Sequence, residues 1–316
     1  MTVFPNPLIE QRADPYIHLH QDGWYYFIAS VPEYDRLELR RAQTLEQLAD
    51  AKPVIIWRKP ENGPMSHLIW APELHFFNGQ WVIYFAAAHS PEIKEGLFQH
   101  RMFALTCNDA DPLSGNWIER GRVITPLDTF SLDATSFEYQ GKRYYLWAQK
   151  DPEVYGNSNL YLAELENAWT IKGQPVMLSK PELEWETRGF WVNEGPAVIR
   201  RGGRIFITYS ASATDENYCM GLLWAKDGAD ILDASQWHKA QKPIFGTARH
   251  NRQFGPGHNS FTQTKEGDDV LVYHARNYTE IEGDPLYDPN RHTRIKTFAW
   301  DEQGMPVFGE PLGDNR

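Results

Sequence analysis

Three acidic residues occupy similar places in three segments of the chain, each eight or nine residues before a glycine that is followed by an aromatic or β-branched run. The pairs are Asp14 and Gly23, Asp133 and Gly141, and Glu194 and Gly203. Two carboxyl groups brought together can share acid–base work, one donating a proton while the other, ionised, activates water. A third acid close by would raise the pKa of the donor by like-charge repulsion. The pattern therefore predicts one shared site.

Each acid taken alone has a plainer explanation. Asp14 precedes Pro15, and Asp133 follows Ser131 and Leu132, so either aspartate could form a local turn by bonding to its own backbone. Glu194 lies between Asn193 and a Gly-Pro pair, where glutamate is a poor turn former. The recurrence of all three before a turn glycine favours a common functional role.

The turn glycines also predict the fold, because five of them recur along nearly the whole chain at spacings of 56, 62, 62 and 64 residues. They are Gly23, Gly79, Gly141, Gly203 and Gly267. Short alternating runs flank each glycine, which is typical of a β-hairpin, and weaker strands complete each unit. About four strands in each of five repeats predict an all-β, five-bladed β-propeller. We expect residues 1–316 to form this single domain.

Propeller geometry would bring the acids together, since the first strand of each blade lines the central channel. Asp14, Asp133 and Glu194 are then expected to face one another at its mouth. Helical signal is sparse; residues 44–50 are expected to form a short helix capped by Thr44.

Composition narrows the classes of partner. The chain of 316 residues has 31 Lys and Arg against 42 Asp and Glu, a formal net charge of -11, which argues against nucleic acid or an anionic membrane as a partner. Aromatic residues make up 14% of the chain, and their flat faces suit sugars, although β-strands account for part of this excess. Two cysteines, Cys107 and Cys219, exclude a disulfide framework.

Two further expectations concern the state of the protein in the cell. The first residues, Met1 to Pro7, show no basic segment followed by an apolar one, so we expect a cytoplasmic protein. A propeller leaves few free strand edges, so we expect a monomer or a weak oligomer.

At these acids the chain resembles glycoside hydrolase family 43, whose members include arabinanases, arabinofuranosidases and β-xylosidases on a five-bladed propeller. The resemblance rests on Ala-Asp-Pro at Asp14, Ser-Leu-Asp-Ala-Thr at Asp133 and Val-Asn-Glu-Gly-Pro at Glu194, with supporting segments that cover nearly the full chain. It implies Asp14 as general base, Glu194 as general acid, and Asp133 as the residue that tunes and orients the acid. It also implies inversion of configuration, for which the two working carboxyls lie roughly 6.5 to 9.5 Å apart.

Four other residues are candidates for the site. Trp70 is expected to form a wall of the sugar pocket, Tyr34 to border it, and Arg294 to reach a sugar hydroxyl or the acids, although a buried Trp and a surface Arg are the plainer alternatives. The resemblance makes His258 a candidate for a mostly hydrated structural calcium ion, against the alternative of a hydrogen-bonded core histidine. No cofactor is required for the chemistry itself.

Within the family, residues 31–36 and 288–291 look most like exo-acting α-1,5-L-arabinofuranosidases. The expected activity is therefore release of arabinose from α-1,5-linked arabino-oligosaccharides. A β-xylosidase or an arabinofuranosidase acting on xylan side chains would use the same acids, and a sugar-binding propeller without catalysis is the alternative from another class. The loops at 88–98 and 283–292 are expected to decide whether the pocket is closed or open.

Overall fold

The computed structural model describes residues 4–316, so the first three residues of the predicted domain lie outside the described part. Its strands, numbered in chain order, form five blades around one axis. Blade I consists of β1 Ala13–Leu19, β2 Tyr25–Ser30, β3 Arg36–Ala42 and β4 Val54–Arg58. Blade II consists of β5 His67–Phe77, β6 Gln80–Ala88, β7 Arg101–Cys107 and β8 Ile118–Arg122. Blade III consists of β9 Ser131–Tyr139, β10 Lys142–Gln149, β11 Asn159–Asn167 and β12 Thr170–Ser179.

The last two blades have shorter outer strands. Blade IV consists of β13 Asn193–Arg201, β14 Arg204–Ala211, β15 Cys219–Lys226 and β16 His238–Lys239. Blade V consists of β17 Phe254–Gln263, β18 Asp269–Arg276 and β19 His292–Thr297. A two-stranded ribbon, β20 Ala299–Trp300 and β21 Pro306–Val307, follows. The short helices are 3-10 turns: Glu46–Leu48, Glu184–Glu186, Ala234–Gln236, Arg249–Asn251 and Pro285–Tyr287.

The first strands of the blades form the inner ring. Each contacts the first strand of the next blade, from β1 through β5, β9 and β13 to β17, and β17 contacts β1 again. The predicted all-β, five-bladed propeller is therefore confirmed. All five turn glycines lie between the first and second strands with φ between 73 and 91°, the left-handed region that glycine enters at little cost.

The second strands hold the core. β2, β6, β10, β14 and β18 are buried along almost their whole length, because each blade packs between two others and both faces of its middle strands are covered. This explains the aromatic and β-branched runs after each glycine, which pack in these layers. The predicted short helix at residues 44–50 is a single 3-10 turn, Glu46–Leu48, and the Thr44 hydroxyl accepts a hydrogen bond from the Gln47 amide at 3.4 Å, as the predicted cap would.

Among residues 4–316, the helices are too short to cross a membrane.

The two ends of the described chain close the ring at blade V. Leu8 and Ile9 pair with Thr293 in β19, so an N-terminal segment stands beside the third strand of the last blade. Asn6, fully buried, accepts a hydrogen bond from the Ile295 amide and donates one to the Ile295 carbonyl, both at 3.0 Å. Asn315 bonds to the backbone of Asn6 in turn.

Replacing Asn6 by alanine is expected to lower the free energy of unfolding by about 2–4 kcal/mol, because two buried backbone groups of Ile295 lose their partner. Urea denaturation measures the difference. Asn108→Ala, at an exposed asparagine, is the matched control and should stay within about 0.5 kcal/mol of wild type. Equal stability of the two variants would show that Asn6 does not hold the closure.

Candidate active site

A pocket of about 130 Å³ lies where the inner strands meet at one end of the axis. All three predicted acids line it, together with Tyr34, Trp70 and His258. The structure thus brings together six of the seven residues singled out from the sequence. Five of the six converge because residues at matching heights of the inner strands β1, β5, β9, β13 and β17 face the same axis, whereas Tyr34 comes from the loop between β2 and β3.

Each inner strand carries a β-bulge at this height. The pairing register shifts between residues 13 and 16, 70 and 73, 132 and 135, 194 and 197, and 257 and 260, so the second residue of every bulge is equivalent around the ring. These second residues all have left-handed φ values between 44 and 56° and are Asp14, Ala71, Asp133, Gly195 and His258. A bulge re-aims side chains at a strand end.

The left-handed conformation costs most residues about 1–2 kcal/mol, and aspartate and glycine tolerate it best. Asp14 and Asp133 therefore occupy equivalent places, as expected. Glu194 does not: it stands one residue before the equivalent position, which Gly195 fills. A side chain on Gly195 would come within 3.1 to 3.3 Å of His258, so glycine leaves room for that ring while the longer Glu194 side chain enters the pocket from the neighbouring position.

Three of the five amide groups at the bulges donate to polar side chains on the second strand of the preceding blade. Ala71 donates to Ser30 of β2 at 2.8 Å, and His258 donates to Ser210 of β14 at 2.8 Å. Asp14 donates to Nδ1 of His274 in β18 at 3.0 Å. Buried amides need such partners, so the bulges are fixed by contacts from blade to blade.

Blades II and III differ from the other three. Their residues at the height of Ser30 and Ser210 are Ala86 and Ala148, whose side chains have no acceptor. The Gly195 amide instead donates to Oδ2 of Asp133 at 3.0 Å. Asp133 is thereby held against the backbone that carries Glu194.

Asp14 is built to stay ionised. Ser30 donates to its Oδ2 at 2.6 Å, and Nη1 of the buried Arg291 and Nδ1 of His258 lie 3.7 and 3.3 Å from its Oδ1. Burial alone would raise the pKa of Asp14, but His258, His274 and Arg291 oppose it and bring the pKa well below the usual range. Since Nδ1 of His274 accepts from the Asp14 amide, we assign the lasting positive charge beside this carboxylate to Arg291.

The surroundings of Glu194 favour its protonated form instead. Burial raises its pKa to about 7, an effect that Asp14 reinforces and that the hydrogen bond from Tyr218, 2.8 Å from Oε1, partly offsets. Burial, and then the charges of Glu194 and Asp14, raise the pKa of Asp133 well above its usual range. Both shifts favour the protonated form, so the surroundings of Asp133 and Glu194 keep these carboxyls protonated closer to neutral pH than free acids would be.

The site therefore contains an ionised carboxylate and a protonated carboxyl pair on the walls of one small pocket. Environments that push the pKa values of two acids apart are the usual means of dividing base and acid roles. Such an arrangement can activate water on one side and donate a proton on the other.

The apolar walls hold the predicted aromatic residues. Trp70 precedes the bulge residue of β5 and stacks on His100 with ring centres 3.7 Å apart. Its edge packs on Phe98, 5.0 Å away. Tyr34 donates a short hydrogen bond to the Leu286 carbonyl and accepts one from Arg291 at 2.9 Å.

Both loops named from the sequence line the pocket. Ile93, Gly96, Leu97 and Phe98 come from the first, and Asp284, Leu286 and Arg291 come from the second. Tyr34 connects the second loop to blade I through its bond to Leu286.

Arg294 does not line the pocket, contrary to the prediction from the sequence. β19 is the third strand of blade V and not an inner strand, and Arg294 is fully buried within that blade, where it bonds to Asp314 and to the Ala275 carbonyl. Arg291, three residues earlier and just before β19, lines the pocket instead. The sequence signal that could have identified Arg291 is its position just before β19, at the end of the strand nearest the pocket.

Three other residues that support the site were not predicted from the sequence. Ser30, Tyr218 and His274 lie on second or third strands or their approaches, and nothing in their local sequence marks them as different from core residues. The rings of Tyr218 and His274 stack at 5.7 Å, which links the partner of Glu194 to the partner of the Asp14 amide.

His258 lies at the fifth bulge with its Nδ1 directed at Asp14 and 3.7 Å from Asp133. Among residues 4–316, His, Cys, Asp and Glu side chains do not assemble in a group of three or more able to hold a metal ion. One imidazole does not match the six to eight oxygen ligands that calcium prefers. The residues therefore do not fit a calcium ion coordinated by the protein, and the hydrated ion expected near His258 stays a prediction.

Comparison with known proteins agrees with this geometry. A family model described as glycosyl hydrolases family 43 matches residues 4–306. The chain is 52% identical to the extracellular exo-alpha-(1->5)-L-arabinofuranosidase of Streptomyces avermitilis over 98% of its own length and 64% of the relative's. It is 50% identical to the enzyme of the same name from Streptomyces chartreusis, over 89% of this chain and 85% of that one.

A solved structure is closer still in shape. The crystal structure of the alpha-L-arabinofuranosidase from Lactobacillus brevis superposes with a TM-score of 0.98 at 59% identity, covering 99% of this chain and 98% of that one. The described fold is therefore nearly the same along the full length of both.

The comparisons correct one expectation and establish the family. The predicted cytoplasmic location is wrong, because relatives at 52% and 50% identity are named extracellular enzymes; the prediction rested on the first residues of the chain, which do not determine the compartment. The match across residues 4–306 and the identity to these relatives show that the chain belongs to glycosyl hydrolase family 43.

Proposed function

We propose that the protein is an inverting, exo-acting α-L-arabinofuranosidase that releases arabinose from α-1,5-linked arabino-oligosaccharides. The observation that carries the proposal is that Asp14 and Glu194 line one pocket with their pKa values shifted in opposite directions, down for Asp14 and up for Glu194. The names of relatives at 50 to 52% identity support the choice of sugar. Because the chain spans 64% of the Streptomyces avermitilis relative, the proposal concerns the described propeller.

In the proposed mechanism Asp14 is the general base. It removes a proton from a water molecule, whose oxygen attacks the anomeric carbon of the terminal arabinose. The bond between that carbon and the glycosidic oxygen breaks, and the electron pair leaves with the oxygen. Arg291 and Ser30 keep Asp14 ionised and oriented for this step.

Glu194 is the general acid in the same mechanism and gives its proton to the departing oxygen. Asp133 does not touch the reacting atoms; it accepts a hydrogen bond from the Gly195 amide and so fixes the backbone that carries Glu194. Attack and departure on opposite faces of the sugar ring give inversion.

The closed pocket supports exo action. Loops from blades II and V cover its sides, and Trp70 with Tyr34 forms an apolar wall for one sugar ring. A neutral sugar chain also suits the net charge of -11, which disfavours nucleic acid and anionic membranes. We further propose a monomer or weak oligomer, because the closed ring leaves few strand edges for pairing.

Product analysis tests the substrate. Wild-type protein is expected to release arabinose as the sole early product from linear α-1,5-arabino-oligosaccharides and to leave xylo-oligosaccharides intact. Release of xylose would keep the acids and overturn the sugar, while binding of either oligosaccharide without any product would favour a binding propeller.

Leaving groups of different basicity test the two roles. Glu194→Gln is expected to lose at least about 100-fold in kcat on arabinobiose, whose leaving oxygen needs a proton, and far less on a dinitrophenyl α-L-arabinofuranoside, whose leaving group does not. Asp14→Asn should lose activity on both substrates, because water is attacked in either case. Equal losses on both substrates for Glu194→Gln would contradict its role as acid.

The pH profile tests the electrostatic account. Glu194 must be protonated to act, so kcat/KM should fall as pH rises through about 7, whereas Asp14 remains ionised far into acid. Tyr218 stabilises the ionised form of Glu194, so Tyr218→Phe is expected to raise that pKa and move the alkaline limb upward. Tyr144→Phe, in blade III, is the matched control. A downward movement of the limb in Tyr218→Phe would overturn the assignment.

A further inference from the structure

Three exposed aromatic side chains stand beside the pocket on the blade III and IV side. Tyr155 is 77% exposed, Phe190 46% and Trp191 37%. The rings of Tyr155 and Trp191 meet edge to face with their centres 4.6 Å apart. We name Tyr155 and Trp191 the aromatic platform. Large aromatic groups are expensive to leave in water, so such a cluster indicates a binding surface.

The platform is held rigidly from below. Asn157 accepts a hydrogen bond from the Trp191 amide at 3.2 Å through its side chain and donates to the Trp191 carbonyl at 2.7 Å through its own amide. Lys150 donates to the carbonyls of Val154 and Gly156 at 2.6 and 2.7 Å, which fixes the loop that carries Tyr155. Rigid aromatic groups contribute contact area with little loss of conformational entropy.

The platform is continuous with the pocket. Phe190 and Val192, the two neighbours of Trp191, both line the pocket, as does Asn157. Trp191 precedes Glu194 by three residues on an extended segment, which at about 3.3 Å per residue places it roughly 10 Å along the chain.

The position of the aromatic platform determines which part of a substrate would reach it. In the proposed function Glu194 protonates the oxygen that departs, so the leaving part of the oligosaccharide extends past Glu194. Because Trp191 is three residues from Glu194 and its two neighbours line the pocket, we place the platform on that side, beyond the first sugar of the leaving part. Its occupant is therefore another sugar of the same chain, neutral and with an apolar C–H face that can pack on an aromatic ring.

We propose that Tyr155 and Trp191 form a subsite that binds the leaving-group side of an arabino-oligosaccharide by stacking against a sugar ring. The inference rests on the proposed function and adds a preference for chain length: substrates of three or more sugars gain a contact that an aryl arabinofuranoside cannot make.

Variant kinetics test the subsite. Trp191→Ala and Tyr155→Ala are expected to lose about 10-fold in kcat/KM on arabinotriose and arabinotetraose, and to keep wild-type kcat/KM on an aryl α-L-arabinofuranoside. Alanine retains the Trp191 Cβ, which packs against Gly156, and the backbone bonds to Asn157, so the segment should keep its shape. Trp191→Phe and Tyr155→Phe should recover most of the loss, because both retain a ring.

Trp224→Ala is the matched control, since Trp224 is a partly exposed tryptophan on β15 that stacks on His238 in the outer part of blade IV. It should leave the ratio of activity on long and aryl substrates unchanged. Equal losses on both substrates for Trp191→Ala, or none on arabinotriose, would overturn the subsite alone. Failure of the wild-type protein to cleave either substrate would overturn the proposed function, and this inference with it.

Discussion

The left-handed bulge at the mouth of each inner strand is the constraint on which the rest of the site depends. It turns the side chains of four equivalent residues, Asp14, Ala71, Asp133 and His258, toward the axis at one height, while Gly195 takes the fifth position. Bonds from the preceding blade support the unfavourable backbone conformation, since Ser30, Ser210 and His274 accept from three of the five bulge amides. Local strain at a functional site is thus stabilised by the closed ring as a whole. The geometry of the pocket therefore depends on closure of the ring, to which the N-terminal segment contributes.

Within that frame, small differences between repeats produce the division of labour. Asp14 lies beside Arg291 and Ser30 and stays ionised, while burial, reinforced by the charge of Asp14, raises the pKa of Glu194 to about 7. The equivalent residue of blade II is Ala71, which brings no charge, and the neighbouring Trp70 provides an apolar wall. A repeated geometry therefore gives a base, an acid pair and an apolar wall through side-chain choice and, for Glu194, an offset of one residue.

Much of this could be predicted from the sequence. Turn glycines at regular spacing gave the blade count, and the acids before them gave the shared site, because both depend on local patterns. The offset of Glu194 by one residue could not be predicted, since it appears only when the bulges of all five strands are aligned. Arg294 was predicted to reach the site because a local pattern does not reveal the order of strands within blade V. That order places Arg291 at the pocket instead. Ser30, Tyr218 and His274 act through tertiary contacts and leave no local signal.

The most direct test of the account is the anomer that is released first. Proton NMR on arabinobiose, recorded before mutarotation, reads the configuration of the new arabinose. The proposed roles, Asp14 as a base acting on water and Glu194 as the acid, predict the β-anomer from the α-linkage, through single attack by water. Early release of the α-anomer would require a covalent intermediate on one of the acids, and would contradict the assignment of Asp14 as a base acting on water.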